Sequence, residues 1–495
     1  MMNPQEHKTV FICADHGLAL VYFLQTDVVK TMLERGMRIV VLTDDGVTDK
    51  VREKFGQPNL FFEGLRLEKL KDYFHQESYN RQYWLHFLRW MGGSDRVNTT
   101  AIDSHLRQME HETSRKGKLL LPFIKSYIRL LRKSAAARKR LVRQQTRFTP
   151  RIYADLFEKY SPALVIAGTS GWRLDRYLLR EAAQNGIETC MAVIGWDNPS
   201  SYRLPGAPLQ WANCWSAVQK QELTAGADWQ SERVHVGGIP TYDGYFRKTW
   251  QLSREEYFKL HGLDPQRKLL SFACSFVTFS PNYQDVEALV HLVTEDTLDE
   301  PCQLLIRLHP NHFMKGSLYE QEADRIRELI RDKAHVHLVE PVALGGDLGF
   351  YSGEDMPEKS SMMAWSDVFL TVYSTMVVET AIHNRPVISV CIDAPGGWNK
   401  PEKFDLSLSE IGQWPTHERF RDAGAGRVVY DSHQLREAIN LYLREPQTDA
   451  AERKQFILDE CTFTDGSAGR RSGEYFSELA ERAVRHPGPV YQFDP

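Results

Sequence analysis

Short apolar runs separated by amphipathic stretches dominate the start of the chain. Residues 8–14 (KTVFICA) form a β-rich apolar run, typical of a strand buried on both faces. A sharp DHG turn follows, and the next stretch predicts a helix that ends near Arg35, before a glycine in the C-cap position. Residues 37–43 (MRIVVLT) predict a second buried strand. This βαβ order is the unit from which parallel sheets are built.

Residues 64–160 interrupt this alternation. They contain no convincing strand and several amphipathic runs, so we predict a helical insertion in the first domain. The α/β pattern then resumes with a helix over 172–185 and with strands over 163–168, 187–195, 210–216 and 233–238. A cluster of glycine and proline between positions 237 and 244 follows and indicates a domain boundary.

A second α/β series occupies the rest of the chain. Its helices are predicted over 284–294, 317–332 and 375–384, and its strands over 268–275, 302–310, 335–340, 367–372 and 386–391. The tail from residue 449 onwards is mostly helical. The pattern therefore predicts two Rossmann-like, doubly wound domains that face each other across a cleft, an N-terminal domain over 1–245 and a C-terminal domain over 246–448, followed by a helical tail over 449–495.

Bulk charge and composition exclude several classes of protein. The 61 Lys and Arg nearly balance 65 Asp and Glu, which does not favour a nucleic-acid-binding protein. No apolar run reaches the roughly 18 residues of a transmembrane helix. The apolar stretch 10–24 is interrupted by Asp15 and His16, so we do not interpret it as a signal peptide and expect a cytoplasmic protein.

The seven cysteines form no CxxC pair. We therefore expect buried reduced thiols and no zinc site.

Ligands of open parallel sheets bind outside the carboxyl ends of the strands, so the loops there are the candidate sites. In the second domain, Ser374 and Thr375 follow a predicted strand and open a helix whose free N–H groups suit a phosphate. Glu379 lies four residues after Thr375 and can accept hydrogen bonds from the vicinal hydroxyls of a ribose. An ordinary N-cap with an acidic first turn explains the same residues.

Two further strand ends of this domain carry polar residues. Arg307 and His309 end one strand in the sequence RLHP, and we predict a cationic pair that faces a diphosphate. A loop histidine at a strand end is the alternative. Ser275 ends another strand, and with the nearby Asn282 it is a candidate ligand of a phosphate or a sugar hydroxyl.

The first domain offers a candidate base. His16 ends the first strand, and a histidine there suits general-base chemistry, with Asp15 orienting it and Gly17 beside it in the cleft.

A second strand end carries the WDN triplet, whose Trp196, Asp197 and Asn198 suit contacts with a sugar. A turn built from Asp, Asn and Pro explains the triplet equally.

Several segments resemble GT-B glycosyltransferases, and the resemblance covers nearly the whole chain outside residues 64–160. The segment STMVVETAIHNRPVISV resembles the donor-binding helix of nucleotide-sugar transferases. The WDNPSSYR and RVHVGGIPTYD segments resemble bacterial surface-polysaccharide glycosyltransferases. RLHP, YST and CTFTDGSAGRR resemble motifs of CDP-glycerol glycerophosphotransferases and bacterial polysialyltransferases. The N-terminal GTRPE-like loop of the UDP-GlcNAc 2-epimerases, which share the fold, is absent from the sequence.

The resemblance implies a function and a site. A sugar would pass from a nucleotide-sugar donor, held by the C-terminal domain, to a glycan or lipid-linked acceptor held by the N-terminal domain. The acid at Glu379 would bind the ribose, Ser374 and Thr375 would approach the diphosphate, and the tail helix would return towards the N-terminal domain. No metal or cofactor is implied. The donor remains open among UDP, CDP, GDP and CMP types, and a CDP-polyol transferase and a non-catalytic nucleotide-sugar- or glycan-binding protein are the alternatives.

The helical insertion has an unusual charge pattern. Thirteen Lys and Arg and no Asp or Glu lie between Arg115 and Arg151. Within residues 115–143 these cations interleave with apolar residues, which predicts either a solvated helical surface or a docking surface for an anionic membrane, peripheral on its inner face. RNA binding is a third alternative.

Overall fold

The computed structural model describes residues 8–275, 280–393 and 404–485. The first domain contains a seven-stranded parallel sheet in the order β3-β2-β1-β4-β5-β6-β7. Its strands are β1 (Thr9–Cys13), β2 (Arg38–Thr43), β3 (Leu60–Gly64), β4 (Leu164–Ala167), β5 (Glu188–Ala192), β6 (Trp211–Cys214) and β7 (Val234–Val236). Alternate residues of β1 enter different core clusters, so the sheet is packed on both faces.

The first domain contains twelve helices, α1 to α12, counted over the described residues. They are α1 (Gly17–Leu24), α2 (Asp27–Glu34), α3 (Thr48–Phe55), α4 (Leu67–Gln76), α5 (Tyr79–Met91), α6 (Thr100–Glu112), α7 (Arg115–Lys133), α8 (Ala135–Gln145), α9 (Ala154–Tyr160), α10 (Asp175–Gln184), α11 (Asn198–Ser201) and α12 (Ala217–Ala227). Helices α4 to α9 lie between β3 and β4 in the chain. Helices α5, α6 and α7 have a small apolar core of their own around Phe87, Met91, Ile102 and Ile128, whereas α4 and α9 pack in the core beside β1.

The second domain contains a six-stranded parallel sheet in the order β10-β9-β8-β13-β14-β15. Its elements, with a short antiparallel hairpin β11–β12, are β8 (Lys268–Ala273), β9 (Cys302–Arg307), β10 (Val336–Val339), β11 (Ala343–Gly345), β12 (Phe350–Tyr351), β13 (Val368–Thr371), β14 (Val387–Val390) and β15 (Arg427–Val429). Residues of β8 also alternate between two core clusters. The predicted fold class, two doubly wound α/β domains, is confirmed.

The helices of the second half are α13 (Asp243–Phe246), α14 (Arg254–His261), α15 (Tyr283–Thr294), α16 (Leu318–Ile330), α17 (Met356–Trp365), α18 (Met376–Ile382), α19 (Leu408–Ile411), α20 (Pro415–Asp422), α21 (Ser432–Arg444), α22 (Ala450–Cys461) and α23 (Ala468–Arg485). The last helix packs on the first domain. Its Phe476 and Leu479 belong to the core beside β1, and Asp243 accepts the main-chain N–H groups of Ala468 and Gly469 at its start, at 2.9 and 2.7 Å.

Several elements differ from the sequence-based prediction, among them the β11–β12 hairpin and helix α17, which were not predicted. The single helix expected after β1 is two helices, because the Thr26 side chain accepts the Val28 main-chain N–H and starts α2. Strands β3 and β15 were not predicted. Both lie at the edge of a sheet and mix buried with half-exposed or exposed residues, so neither has the continuous apolar run of a central strand.

All seven cysteines are buried and unbridged. Within the described residues, every helix is too short or too polar to cross a membrane.

Candidate functional site

The carboxyl ends of the two sheets meet at a partly apolar interface. Trp196, which follows β5, shares one core cluster with Met363 of the second domain. The β11–β12 hairpin reaches across to the first sheet, where the Leu348 main-chain N–H donates to the carboxylate of Asp44 at 2.7 Å. Loops that follow strands of both sheets therefore line the junction of the domains.

The predicted base lies after β1 in a charged cluster. His16 Nδ1 lies 2.8 Å from the Asp15 carboxylate, and the Arg173 guanidinium lies 3.5 Å from the same carboxyl group. Burial alone raises the pKa of Asp15, but the His16 hydrogen bond and the Arg173 charge outweigh it, and the pKa lies below its usual value. An ionised Asp15 favours the tautomer that carries the proton on Nδ1, which leaves Nε2 of His16 as a proton acceptor.

A second carboxyl group in this cluster behaves oppositely. Burial, and then the charge of Asp15, raises the pKa of Asp175 to about 7. Its side chain accepts a hydrogen bond from Thr169. The two carboxyl groups thus share one buried site, and Asp15 is the one that carries charge beside His16.

Gly17 lies under the hairpin of the other domain. A Cβ atom at this position would collide with the main chain of Tyr351. The Tyr351 hydroxyl donates in turn to Asp355 at the start of α17. Gly17 thus permits a close contact between the domains, and its small size brings the second domain next to His16.

Arg307 does not face a ligand. Its guanidinium donates to the carboxylates of Asp355 and Glu358, and only 4% of the residue is exposed. Despite its burial, these two carboxylates hold the pKa of Arg307 above its usual value. Both terminal nitrogens of Arg307 thus join β9 to α17, so the structure does not support the predicted contact with a diphosphate.

His309 is neutral rather than cationic. Burial, together with the nearby charges of His312, Lys359 and Arg307, lowers its pKa to about 3. Its Nδ1 accepts the Asn311 main-chain N–H at 3.1 Å, which places the ring proton on Nε2. The lowered pKa disfavours the cationic form that the sequence predicted for His309, whereas Arg307 stays a cation; the neutral His309 ring is suited to donate a hydrogen bond.

Glu379 is buried on the first turn of α18 and already has two partners. Lys359 Nζ lies 2.6 Å from its carboxylate, and the Tyr245 hydroxyl donates to the same carboxylate at 2.8 Å. Lys359 was not predicted from the sequence. It is the cation that pairs with Glu379, and its charge contributes to the lowered pKa of His309, whereas the sequence pointed to Arg307.

Ser374 and Thr375 lie half-buried where β13 passes into α18. The helix begins one residue later than Thr375, at Met376, whose main-chain N–H donates to Ser374 Oγ at 3.3 Å. Tyr373, just before them, has a φ of 40°, a left-handed conformation that is uncommon for an aromatic residue. Such strain is concentrated at functional turns, and here it directs the chain from the sheet edge into the helix.

Ser275 and Asn282 hold each other. The Ser275 main-chain N–H donates to Asn282 Oδ1 at 2.8 Å, and Asn282 Nδ2 donates to the Ser275 carbonyl at 3.0 Å. The amide of Asn282 is thus engaged with the main chain of Ser275. The predicted contact of Ser275 and Asn282 with a phosphate or a sugar hydroxyl stays a prediction.

The WDN triplet divides into separate roles. Trp196 is 2% exposed and its indole N–H donates to Glu460 at 2.6 Å, so this ring packs in the core and the structure does not support the expected sugar contact. Asn198 Oδ1 accepts the Gly195 main-chain N–H at 2.8 Å, as in the alternative turn interpretation. Asp197 reaches solvent, yet surrounding protein desolvates its carboxyl group and raises the pKa. Asp197 is the exposed member of the triplet, and the Ser201 hydroxyl donates to its carboxylate at 3.2 Å.

The loop after β4 also reaches the cluster and was overlooked. Trp172 stacks on Tyr202 with centroids 4.1 Å apart and planes 7° apart, and Arg173 contacts Asp15 as described above. The rule that polar residues just after a predicted strand are candidates would have selected the GWR triplet, because this triplet closely follows the predicted strand 163–168.

A metal ion has no evident ligand set here. In the described ranges, no group of three or more His, Cys, Asp and Glu side chains is arranged to hold one.

Similarity to known proteins is structural. No protein-family model matches the sequence, and no match is found among curated proteins. UDP-GlcNAc 2-epimerase from Neisseria meningitidis, in a structure with UDP-GlcNAc, aligns over 95% of this chain and 100% of its own, at 11% identity and a TM-score of 0.55. The S. aureus protein MnaA, in a structure with UDP, aligns over 99% of both chains at 11% identity and a TM-score of 0.51. A glycosyltransferase from Rickettsia africae aligns over 97% of this chain and 100% of its own, at 10% identity and a TM-score of 0.49. The first two similarities extend over nearly the whole chain, and they establish that this protein has the GT-B fold that its motifs indicated.

Proposed function

We propose that the protein is a glycosyltransferase that uses a nucleotide-sugar donor. The observation that carries the proposal is the pairing of two chemical groups across the domain junction. The hydrogen-bonded Asp15–His16 pair follows the first strand of one sheet. At the other sheet Lys359 pairs with Glu379, and its charge is one of those that lower the pKa of His309. The first domain supplies a proton acceptor, His16, and the second domain supplies a cation, Lys359, and a neutral hydrogen-bond donor, His309.

The second domain is the proposed donor site. Glu379 accepts the vicinal hydroxyls of the ribose, in exchange for part of its contact with Lys359 and Tyr245. Ser374 and Thr375 approach the diphosphate, with Ser275 at the neighbouring strand end. Lys359 replaces Arg307 as the positive charge of this site. Nucleotide binding by the two structurally similar proteins described above supports the assignment of this class of ligand.

The first domain is the proposed acceptor site. Nε2 of His16 takes the proton of the acceptor hydroxyl as its oxygen attacks the anomeric carbon, and the bond from that carbon to the diphosphate oxygen breaks. Asp15 stabilises the imidazolium that forms. On the donor side, negative charge grows on the leaving diphosphate and is met by Lys359 and by the Nε2–H of His309. Such a displacement inverts the anomeric configuration.

Asp197 is a second proposed contact of the acceptor. The residue is exposed, and the surrounding protein raises the pKa of its carboxyl group, which suits an exchange of protons with a sugar hydroxyl. The acceptor is a glycan or a lipid-linked glycan, as expected for surface polysaccharide synthesis.

Donor identity is tested first by calorimetry with UDP, CDP, GDP and CMP, followed by nucleotide release from the matching sugar donors and from a CDP-polyol. Release that requires an acceptor supports a transferase, and release from the CDP-polyol alone selects the polyol-phosphate alternative. Epimerised donor without transfer selects an epimerase. Tight nucleotide binding without any turnover selects a non-catalytic binding protein.

The roles of single residues are tested with matched variants. Lys359→Met is compared with Lys71→Met, which removes an exposed cation that pairs with Asp347 of the other domain. His16→Ala is compared with His291→Ala, an exposed histidine of α15. We expect Lys359→Met to weaken nucleotide binding and His16→Ala to abolish transfer, with both controls unchanged. Transfer that survives the combined removal of His16, Asp15 and Asp197 contradicts the proposed base.

A further inference from the structure

Helix α7 of the insertion has two apolar faces. One face is buried, with Ile128 2% exposed in the small core of the insertion and Leu131 fully covered next to it. The opposite face is open, because Leu119 is 76% exposed, Leu120 55%, Phe123 75% and Leu130 51%. Residues 119, 123 and 130 recur at helical spacing and therefore share one stripe. A stripe of large apolar side chains facing water marks an interaction surface.

The cations of this region fall into two groups. Lys125, Arg132, Lys133 and Arg138 pair with carboxylates of neighbouring elements and hold the insertion together. A second group is exposed and has no carboxylate within ion-pair distance among the described residues: Arg115, Lys118, Arg129, Lys139, Arg140, Arg143 and Arg147. Helical geometry places Arg115, Lys118 and Arg129 along one flank of the apolar stripe.

An apolar stripe beside a row of unneutralised cations matches one kind of partner. We propose that α7 docks on an anionic lipid bilayer, with Leu119, Leu120, Phe123 and Leu130 entering the interface and the flanking cations meeting lipid phosphates. Single-stranded RNA would use the cations and leave the apolar stripe in water. A second copy of the chain, docked stripe to stripe, would bring two basic flanks together, which is unfavourable.

The position of the insertion links this surface to the cleft. Helix α6, which leads into α7, contacts the second domain, where the Trp414 indole N–H donates to Ser104 at 3.1 Å and Arg107 lies 3.2 Å from Glu410. Docking through α7 would hold the junction of the domains near the bilayer. This consequence, access to a lipid-linked acceptor, rests on the proposed function, whereas docking itself does not.

The docking proposal is tested by flotation with vesicles of phosphatidylcholine alone and of phosphatidylcholine mixed with phosphatidylglycerol. We expect binding to the anionic vesicles only, weakening as salt is added. The variant L119S/L120S/F123S and the variant K118E/R129E should each reduce the bound fraction at least tenfold. Their controls are Leu260→Ser, which alters a leucine of α14 that is 61% exposed, and Lys50→Glu, which alters an exposed cation of α3.

Further measurements test whether the variants fold and whether a different partner binds this surface. All substituted side chains are exposed, so the variants should keep the wild-type circular dichroism and thermal midpoint. No binding to anionic vesicles at low salt, equal binding to neutral vesicles, or equal losses in the controls would overturn the proposal. Binding of polyuridylate without vesicle binding, or a dimer in solution that L119S/L120S/F123S dissociates, would overturn it as well. None of these measurements depends on the donor or on turnover.

Discussion

Replacement of Arg307 by methionine separates a structural role of this side chain from a ligand-binding role. The guanidinium and its two carboxylate partners are almost fully buried, with side chains 5% (Arg307), 7% (Asp355) and 12% (Glu358) exposed. Methionine fills much of the volume but leaves two buried carboxylates without their cation. Breaking a buried ion pair from one side costs about 3–5 kcal/mol.

Neighbouring donors reduce that cost. The Tyr351 hydroxyl still donates to Asp355, and the Tyr257 hydroxyl donates to Glu358 at 3.0 Å. We therefore expect Arg307→Met to lower the free energy of unfolding by about 3 kcal/mol, the lower end of that range. Urea unfolding is the assay, with attention to the transition of the second domain, because a chain with two domains need not unfold in one step.

A compensated variant completes the experiment. Adding Asp355→Asn and Glu358→Gln removes the two uncompensated charges, so the triple variant should regain at least half of the lost stability. Its affinity for nucleotide should equal that of the wild type. The reasoning would be refuted if Arg307→Met unfolded like the wild type and yet lost nucleotide binding, because Arg307 would then bind the diphosphate after all.

Four further outcomes are expected. Glu379→Ala should weaken donor binding by about 2–4 kcal/mol, measured by calorimetry, because a charged acceptor of the ribose hydroxyls is lost; unchanged affinity would reduce Glu379 to a partner of Lys359. His309→Ala should lower kcat more than donor affinity in steady-state kinetics, since charge on the leaving group grows in the transition state; an equal effect on both would contradict this. Asp15→Asn should lower kcat by on the order of 10²–10⁴ while circular dichroism stays unchanged, because the amide no longer stabilises the imidazolium. Burial lowers the pKa of His417 to about 3, while an unfolded histidine titrates near 6.5. Between these two pH values the unfolded state binds one more proton than the folded state. The free energy of unfolding therefore falls by about 1.4 kcal/mol per pH unit as the pH drops from about 6.5 towards 3. His417→Phe should flatten the dependence of the unfolding free energy on pH by one proton over that range, and an unchanged slope would refute the assignment.

The sequence alone determined the class of fold. A central strand of a doubly wound sheet is covered on both faces, so nearly every residue in it is apolar and the run is visible without any structure, as in β1 and β4. The same apolar runs also predicted where strands end and turns begin. His16, Ser374 and Glu379 were selected as candidates because they follow such strand ends. Edge strands such as β3 and β15 lack double burial, and the rule failed there.

Only the tertiary structure decided which polar groups neutralise one another. Arg307 meets carboxylates 48 and 51 residues further along the chain, and Trp196 meets a carboxylate 264 residues away. Lys359, on a helix rather than at a strand end, comes to Glu379 only when α17 packs beside α18. Local pattern sets where a side chain lies on its own element, because periodicity is a property of neighbours in sequence. The charge, protonation and availability of that side chain depend on elements that long-range packing brings to it, and no local pattern records them.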